Sequence, residues 1–177
     1  MGPLWAARAL ETRMPEREDA IWLTPEGHKA LTKELEHLST VRRHELAERL
    51  RESREHGEFG EDNSELDELK FEQAVIEQRI EYLKEVLSNS AVLSAADVPT
   101  RTVGIGSRVS LLDTRGRKKI DVILVSDAEA ERGPEFVSDD SPLGVAILGR
   151  KKGEKFTFDA PAGKVTYEIL RIGKSVK

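Results

Sequence analysis

The sequence predicts two folded parts, an antiparallel α-helical coiled-coil hairpin and, after it, a small α+β domain. Three observations carry this expectation. Two long stretches repeat apolar residues at steps of three and four, the period of one helix face. The segment between them is short and contains Gly57 and Gly60. Beyond Ser88 the helical period stops, and runs of β-branched and apolar residues alternate with turn formers.

The first helix opens at Thr24, suited to the N-cap, with Pro25 at the first helical position, where its missing N–H is no loss. Leu31, Leu35, Leu38, Val41, Leu46 and Leu50 form one stripe with a slip near Val41, and no Pro or Gly interrupts it between Gly27 and Gly57. A helix over residues 25–56 would be about 48 Å long at roughly 1.5 Å per residue. The second helix is more regular. Leu66, Leu69, Gln73, Ile76, Ile80, Leu83 and Leu87 follow the a/d seam of a coiled coil, with Gln73 its one polar member. Neither helix can hide its stripe alone, and the short connection makes them antiparallel partners.

"SNSAVLSAADVPTRT" has turn formers, a proline and no sustained period, and reads as a linker. After it, "SRVSLLD", "KKIDVILV", "EKFTFD" and "KVTYEILRI" read as strands. "SPLGVAILG" reads as a short helix capped by Ser141 with Pro142 at its first position. The expected organisation is a flexible tail over residues 1–20, a hairpin over 21–90 with its tip at 57–65, a linker over 91–102 and an α+β domain over 103–177.

Composition narrows the function classes. Hydrophobic residues make up 38%, charged residues 34% and aromatics only 5%, a balance that suits a solvated coil better than a large globule. The net charge of −5 argues against a general electrostatic grip on nucleic acid, while leaving room for a local basic stripe. The absence of cysteine excludes disulfides and thiolate metal sites and fits a reducing compartment. No apolar run approaches the roughly 20 residues of a membrane span. The opening "MGPLWAARALETRMPERED" lacks the apolar core of a signal peptide. A cytoplasmic protein without membrane contact is expected.

The densest negative charge sits at the bend, where six carboxylates and no base lie between Gly57 and Glu68. Part of this has a structural account. Acids near a helix N-terminus are stabilised by its exposed N–H groups, and Ser64 with Asp67 looks like a capping box. That accounts for Asp62, Glu65 and Asp67, but poorly for Glu58 and Glu61, which precede the helix. The functional account is that a rigid rod delivers carboxylates into a space too narrow for a domain. Two or three acids suit Mg²⁺, which keeps several waters and takes one or two protein carboxylates. The tip has no self-sufficient cage, so any ion it binds is shared with a partner.

Several separate motifs resemble one family. "WLTPEGHKALTKELEHLSTVRRHELAERL" looks like the first helix of the bacterial Gre transcript-cleavage factors, and "DNSELDELKFEQAVIEQRIEYLKEVLSNSAVL" is similar to their second. "SPLGVAILGRKKGE" and "APAGKVTYEILRI" look like the signatures of their FKBP-like C-terminal domain, so that the GreA-like resemblance covers residues 21–173. It implies that the hairpin enters the secondary channel of bacterial RNA polymerase while the C-terminal domain docks at the channel rim. The tip acids would help the polymerase hold a second Mg²⁺, and the 3′ end of backtracked nascent RNA would be cleaved there. The chain would be no enzyme by itself and would carry no cofactor of its own.

The resemblance breaks at the tip. The family reads Gly-Asp-x-x-Glu-Asn-x-Glu-Tyr, whereas this chain reads Gly57-Glu58-Phe59-Gly60-Glu61-Asp62-Asn63-Ser64-Glu65-Leu66. One inserted residue accounts for the difference, leaving Glu58 with either Glu61 or Asp62 as the metal-directed pair. Asn63 and Ser64 would hold the turn, and Phe59 would pack on the polymerase or on the coil. A Gre homologue with an altered tip that occupies the channel and inhibits or pauses the polymerase is the alternative.

Arg42, Arg43, Arg49, Arg51 and Arg54 interleave with Glu45, Glu48, Glu52 and Glu55, which reads as a salt-bridged solvated face. In the setting of the resemblance, Arg51 and Arg54, nearest the tip, would contact RNA phosphates. His28, His37, His44 and His56 show no zinc spacing and read as surface residues. Gly104, Gly106, Gly116, Gly144, Gly149 and Gly163 read as turn residues. A structural coiled-coil adaptor is the competing class. The slip near Val41 and the unequal helices favour pairing within one chain, so a monomer is expected.

Overall fold

The computed structural model describes residues 20–56, 64–161 and 163–176. They fall into two compact units that divide at Gly27/His28 and Ser88/Asn89.

The hairpin unit is helical. α1 (Pro25–His37) runs through a π-helical turn (Leu38–Arg42) into α2 (Arg43–His56), and α3 (Ser64–Ser88) packs antiparallel against this run. Leu46, Leu50, Leu69, Ile76 and Ile80 form the buried seam, with Leu35, Leu38 and Leu66 packed beside them. The π turn gives the slip near Val41 a physical cause. An α-helix advances about 100° per residue, so Leu46, eight positions after Leu38, would sit about 80° off the line of Leu38. A turn bonded i→i+5 absorbs one extra residue and restores the phase. The surplus residue is Val41, which the stripe was expected to include and which is 44% exposed. Gln73 is likewise exposed, and at the far end the buried seam residue is Val86, with Leu87 only half-buried.

The second unit is built on a five-stranded sheet of order β5-β4-β3-β7-β6. Its strands are β3 (Ser107–Asp113), β4 (Lys119–Val125), β5 (Phe136–Ser138), β6 (Lys155–Ala160) and β7 (Gly163–Lys174). Only the β4–β5 pair is parallel. Alternation along β3 turns Ser107, Val109 and Leu111 inward. Together with Val103, Val122, Leu124, Ile147, Phe156 and Ile169, the last two make the core. A register shift at Ser110/Leu111 leaves Leu170 of β7 as the bulged residue. The short helix α4 (Pro142–Ile147) covers part of the core, and the Ser141 hydroxyl caps it by accepting the Gly144 N–H at 3.0 Å. Gly144 is therefore a helix residue, not a turn residue. A Cβ there would lie 1.9 Å from the Ser138 carbonyl oxygen, so only glycine lets the helix approach β5 so closely.

The segment expected to be a linker is part of this unit. β1 (Ile21–Leu23) pairs in parallel with β2 (Ser90–Val92). Leu93 and Val98 are buried with Val176, and Trp22 and Ile105 pack against them. Apolar side chains at residues 93 and 98 give the stretch a core of its own, which a free linker does not have.

The start of α1 is anchored by a buried acid. Thr24 caps the helix as expected, its Oγ1 accepting the Gly27 N–H at 3.0 Å. The same hydroxyl donates to Glu129 Oε1 at 2.6 Å, and the Thr24 N–H donates to Oε2 at 2.7 Å. Arg132 Nη1 completes the set, 2.8 Å from Glu129 Oε1. Glu129 belongs to a 3₁₀ segment (Asp127–Arg132) and is fully buried. A buried carboxylate is tolerated because each oxygen receives strong donors.

Candidate functional site at the hairpin tip

Of the residues singled out by the sequence, Glu58, Phe59, Glu61, Asp62 and Asn63 lie outside the described residues. Ser64, Arg51 and Arg54 border them. Ser64 is the first described residue of α3. Asp67, expected to reach back to Ser64, instead faces Lys70 at 3.4 Å.

The charges of the shaft are arranged differently from the sequence expectation. Arg42 Nη1 meets Glu45 of its own helix at 2.9 Å, but most of the close arginine contacts cross to the other helix. Arg42 Nη2 meets Glu72 at 2.7 Å, and Arg49 Nη1 meets the other oxygen of Glu72 at 3.1 Å. Arg43 grips Glu77 with two donors, Nε at 2.7 Å and Nη2. Arg79 returns the pattern from α3 to Glu34, with Nε at 2.7 Å. The Arg43 hydrogen bond holds the Glu77 carboxyl below the ordinary glutamate range and raises the arginine in turn. The Arg43–Glu77 pair is exposed and the Arg42–Glu72 and Arg79–Glu34 pairs are half-buried, so each contributes only modest stability. Their geometry sets the register, because a shifted hairpin would set like charges opposite one another.

Toward the tip this compensation ends. Arg51 meets Glu55 only at 3.8 Å. Among the described residues, Arg54, Glu65 and Glu68 carry no ion pair. The shaft is therefore neutralised in pairs across its width, while the end nearest residues 57–63 is left charged. His37 is exposed, and exposed His44 lies 3.7 Å from Glu48, in keeping with a surface role. No three His, Cys, Asp or Glu side chains among the described residues could hold a metal ion. No helix among them is long and apolar enough to cross a membrane. The rings of Phe156, Phe158 and Tyr167 pack together with centroids 5.9–6.2 Å apart, Phe158 stacked on Tyr167 and Phe156 tilted against both. They are spent on packing.

A family model described as transcription elongation factor, N-terminal, matches residues 21–92, and one described as transcription elongation factor, GreA/GreB, C-term, matches residues 98–174. The chain belongs to the GreA/GreB family. The transcription elongation factor GreA of Caldanaerobacter subterraneus subsp. tengcongensis is 42% identical over 150 residues, 85% of this chain and 95% of that protein. The GreA of Syntrophomonas wolfei is 38% identical over 161 residues, 91% of this chain and all of its own length. Among solved structures, GreA factor homolog 1 (Gfh1) of Thermus thermophilus is 33% identical, covering 87% of this chain and 99% of that one, with a TM-score of 0.42. The present chain is thus a transcription elongation factor of the Gre family.

Proposed function

We propose that this Gre factor inserts its hairpin into the secondary channel of bacterial RNA polymerase and stimulates Mg²⁺-dependent cleavage of backtracked RNA. The observation that carries this reading is the contrast in charge along the hairpin. Interhelical pairs neutralise the shaft, whereas six carboxylates without a base occupy Gly57–Glu68. Carboxylates crowded at the end of a stiff rod repel one another unless a cation awaits them, and hard oxygen donors without nitrogen or sulfur match Mg²⁺. Glu58, with Glu61 or Asp62, would hold that ion jointly with polymerase groups. When bound, it would supply activation of an attacking water. Asn63 and Ser64 would start α3 at the turn, Phe59 would pack near the apex, and Arg51 and Arg54 would face phosphates of the extruded RNA 3′ end. The chain is then a stimulator of the polymerase's own nuclease activity, not a catalyst, and works as a monomer.

The departure of the tip from the family pattern supports a second reading, in which the factor occupies the channel and slows synthesis without cleavage. Stalled elongation complexes with end-labelled RNA separate the two across a Mg²⁺ titration. The wild type is expected to release short 3′ fragments, and Glu58→Ala and Asp62→Ala to lose most of that release. Slower nucleotide addition with no new fragments at any Mg²⁺ concentration would overturn the first reading in favour of the second.

A further inference from the structure

The turn between β3 and β4 carries a concentration of charge that the tip chemistry does not use. Residues 114–119 read Thr-Arg-Gly-Arg-Lys-Lys, four cations in the last five positions, all of them exposed. Of the acids flanking the turn in sequence, Asp113 Oδ1 accepts the Arg115 N–H at 2.8 Å, and Asp121 Oδ1 accepts the Ser110 hydroxyl at 2.5 Å. Among the described residues, the side chains of Arg115, Arg117, Lys118 and Lys119 make no hydrogen bond and no ion pair.

The backbone adds a second observation. The turn closes through the Asp113 N–H to the Lys118 carbonyl at 2.9 Å, and the Thr114 N–H to the Thr166 carbonyl at 3.0 Å ties it to β7. To complete it, Arg117 takes φ of 50°, the one non-glycine residue with positive φ among those described. Such hairpin turns ordinarily place glycine or asparagine at that position, because a Cβ is disfavoured there. An arginine held in a glycine conformation, amid three other cations that repel it, is poorly explained by folding.

We propose that the β3–β4 turn is a binding site for the phosphodiester backbone of nucleic acid, separate from the hairpin tip. Two guanidinium groups give paired donors matched to phosphate oxygens, and two ammonium groups add point charges beside them. Residues 114–119 contain no apolar or aromatic side chain. A protein interface needs a desolvated anchor at its centre, whereas a phosphate contact needs only accessible positive charge. The wider charge distribution agrees, since residues 91–177 carry 15 Lys and Arg against 12 Asp and Glu, and residues 21–90 carry 10 against 17. A polyanion is repelled by the hairpin and attracted by the sheet unit.

The test uses the full chain without polymerase, so its outcome is independent of the cleavage reading. Fluorescence anisotropy would follow labelled single-stranded RNA and duplex DNA of about 20 residues, from about 50 mM salt upward. Replacing Arg115, Lys118 and Lys119 with Gln and Arg117 with Gly is expected to weaken binding about tenfold or more at low salt. The same change should flatten the salt slope by about 0.9 per lost phosphate contact on duplex and about 0.7 on single strands. Lys151→Gln with Lys152→Gln removes two exposed charges elsewhere in the unit and should leave the slope unchanged. Arg117→Gly alone is the sharper variant, expected to raise the unfolding midpoint while lowering affinity, a combination that damaged folding cannot produce. Tighter binding of RNA would name a transcript as the source of the phosphates, and tighter binding of duplex would name DNA. An unchanged affinity and slope in the fourfold variant would overturn the proposal. So would displacement by polyglutamate as effective as displacement by nucleic acid of equal charge, which would indicate an acidic protein.

Discussion

Glu129→Gln tests the anchor at the start of α1. The substitution keeps the shape and removes the charge. Three donors converge on the carboxylate, the Thr24 N–H, the Thr24 hydroxyl and Arg132 Nη1. Hydrogen bonds to a charged group contribute about 1.5–3 kcal/mol each and neutral ones about 0.5–1.5, so neutralisation costs about 1 kcal/mol per bond. The new amide also points an N–H₂ at a site supplied only with donors, which leaves one of them unsatisfied. The smaller desolvation of glutamine offsets part of this. A net loss of about 2–3 kcal/mol follows, read as a urea midpoint lowered by about 0.7–3 M for a slope of about 1–3 kcal/mol/M. Fluorescence of Trp22 in a Trp5→Phe background reports on the right unit, because Trp22 lies on β1 against Leu93 and Val98. A midpoint within about 0.5 kcal/mol of the wild type would show that the buried carboxylate is not holding Thr24.

Two further outcomes follow from the same contacts. Gly27→Ala should normally stabilise a helix by about 1 kcal/mol, but here the added Cβ would lie 1.6 Å from Glu129 Oε1. A net loss of about 1–3 kcal/mol is expected, and a raised urea midpoint would refute the close approach. For Glu77, the folded carboxyl is held below its ordinary range by Arg43. The stabilisation is therefore present above the ordinary glutamate value, about 4.3, and is lost as pH falls through the lower folded value. Glu77→Gln should flatten that acid limb of the hairpin's unfolding profile, more visibly at low salt. A limb of unchanged depth would mean that the pair adds nothing in solution.

How much of this was visible in the residues depends on the range of the contacts. β3 spans the run "SRVSLLD" without adjustment, because alternation is a local property. The caps at Thr24 and Ser141 were equally local. β1 and β2, three residues each, are too short to show any period, and their parallel pairing joins positions about seventy residues apart. Glu129 sits in "DAEAER", which reads as a solvated string, and its partner Thr24 is 105 positions away. The shaft arginines were legible as a salt-bridged face, yet spacing suggests partners three or four residues on, and Glu72, Glu77 and Glu34 are 23 to 45 away. The acids of the tip were legible as composition, because charge density needs no fold to be noticed.

Under the proposed function the π turn matters, since a tip carboxylate would have to arrive with the correct rotation as well as at the correct height. Catalytic placement tolerates little error, about 1 Å costing up to 10²-fold. If Leu38–Arg42 is an absorbed insertion, deleting Val41 should let the segment relax to an α-helix. Leu38 and Leu46 would then be seven apart, within about 20° of one line, and the seam would stay in phase. Stability should be equal or greater, with cleavage stimulation within a few-fold of wild type. Deleting exposed Ala47 removes the same length from ordinary helix. It would rotate Leu50 by about 100° out of the seam, cost about 2–5 kcal/mol as a lost buried leucine, and misdirect the tip. Equal damage from both deletions in a thermal melt and a cleavage assay would mean that the turn is not what keeps the two halves of the first helix in register.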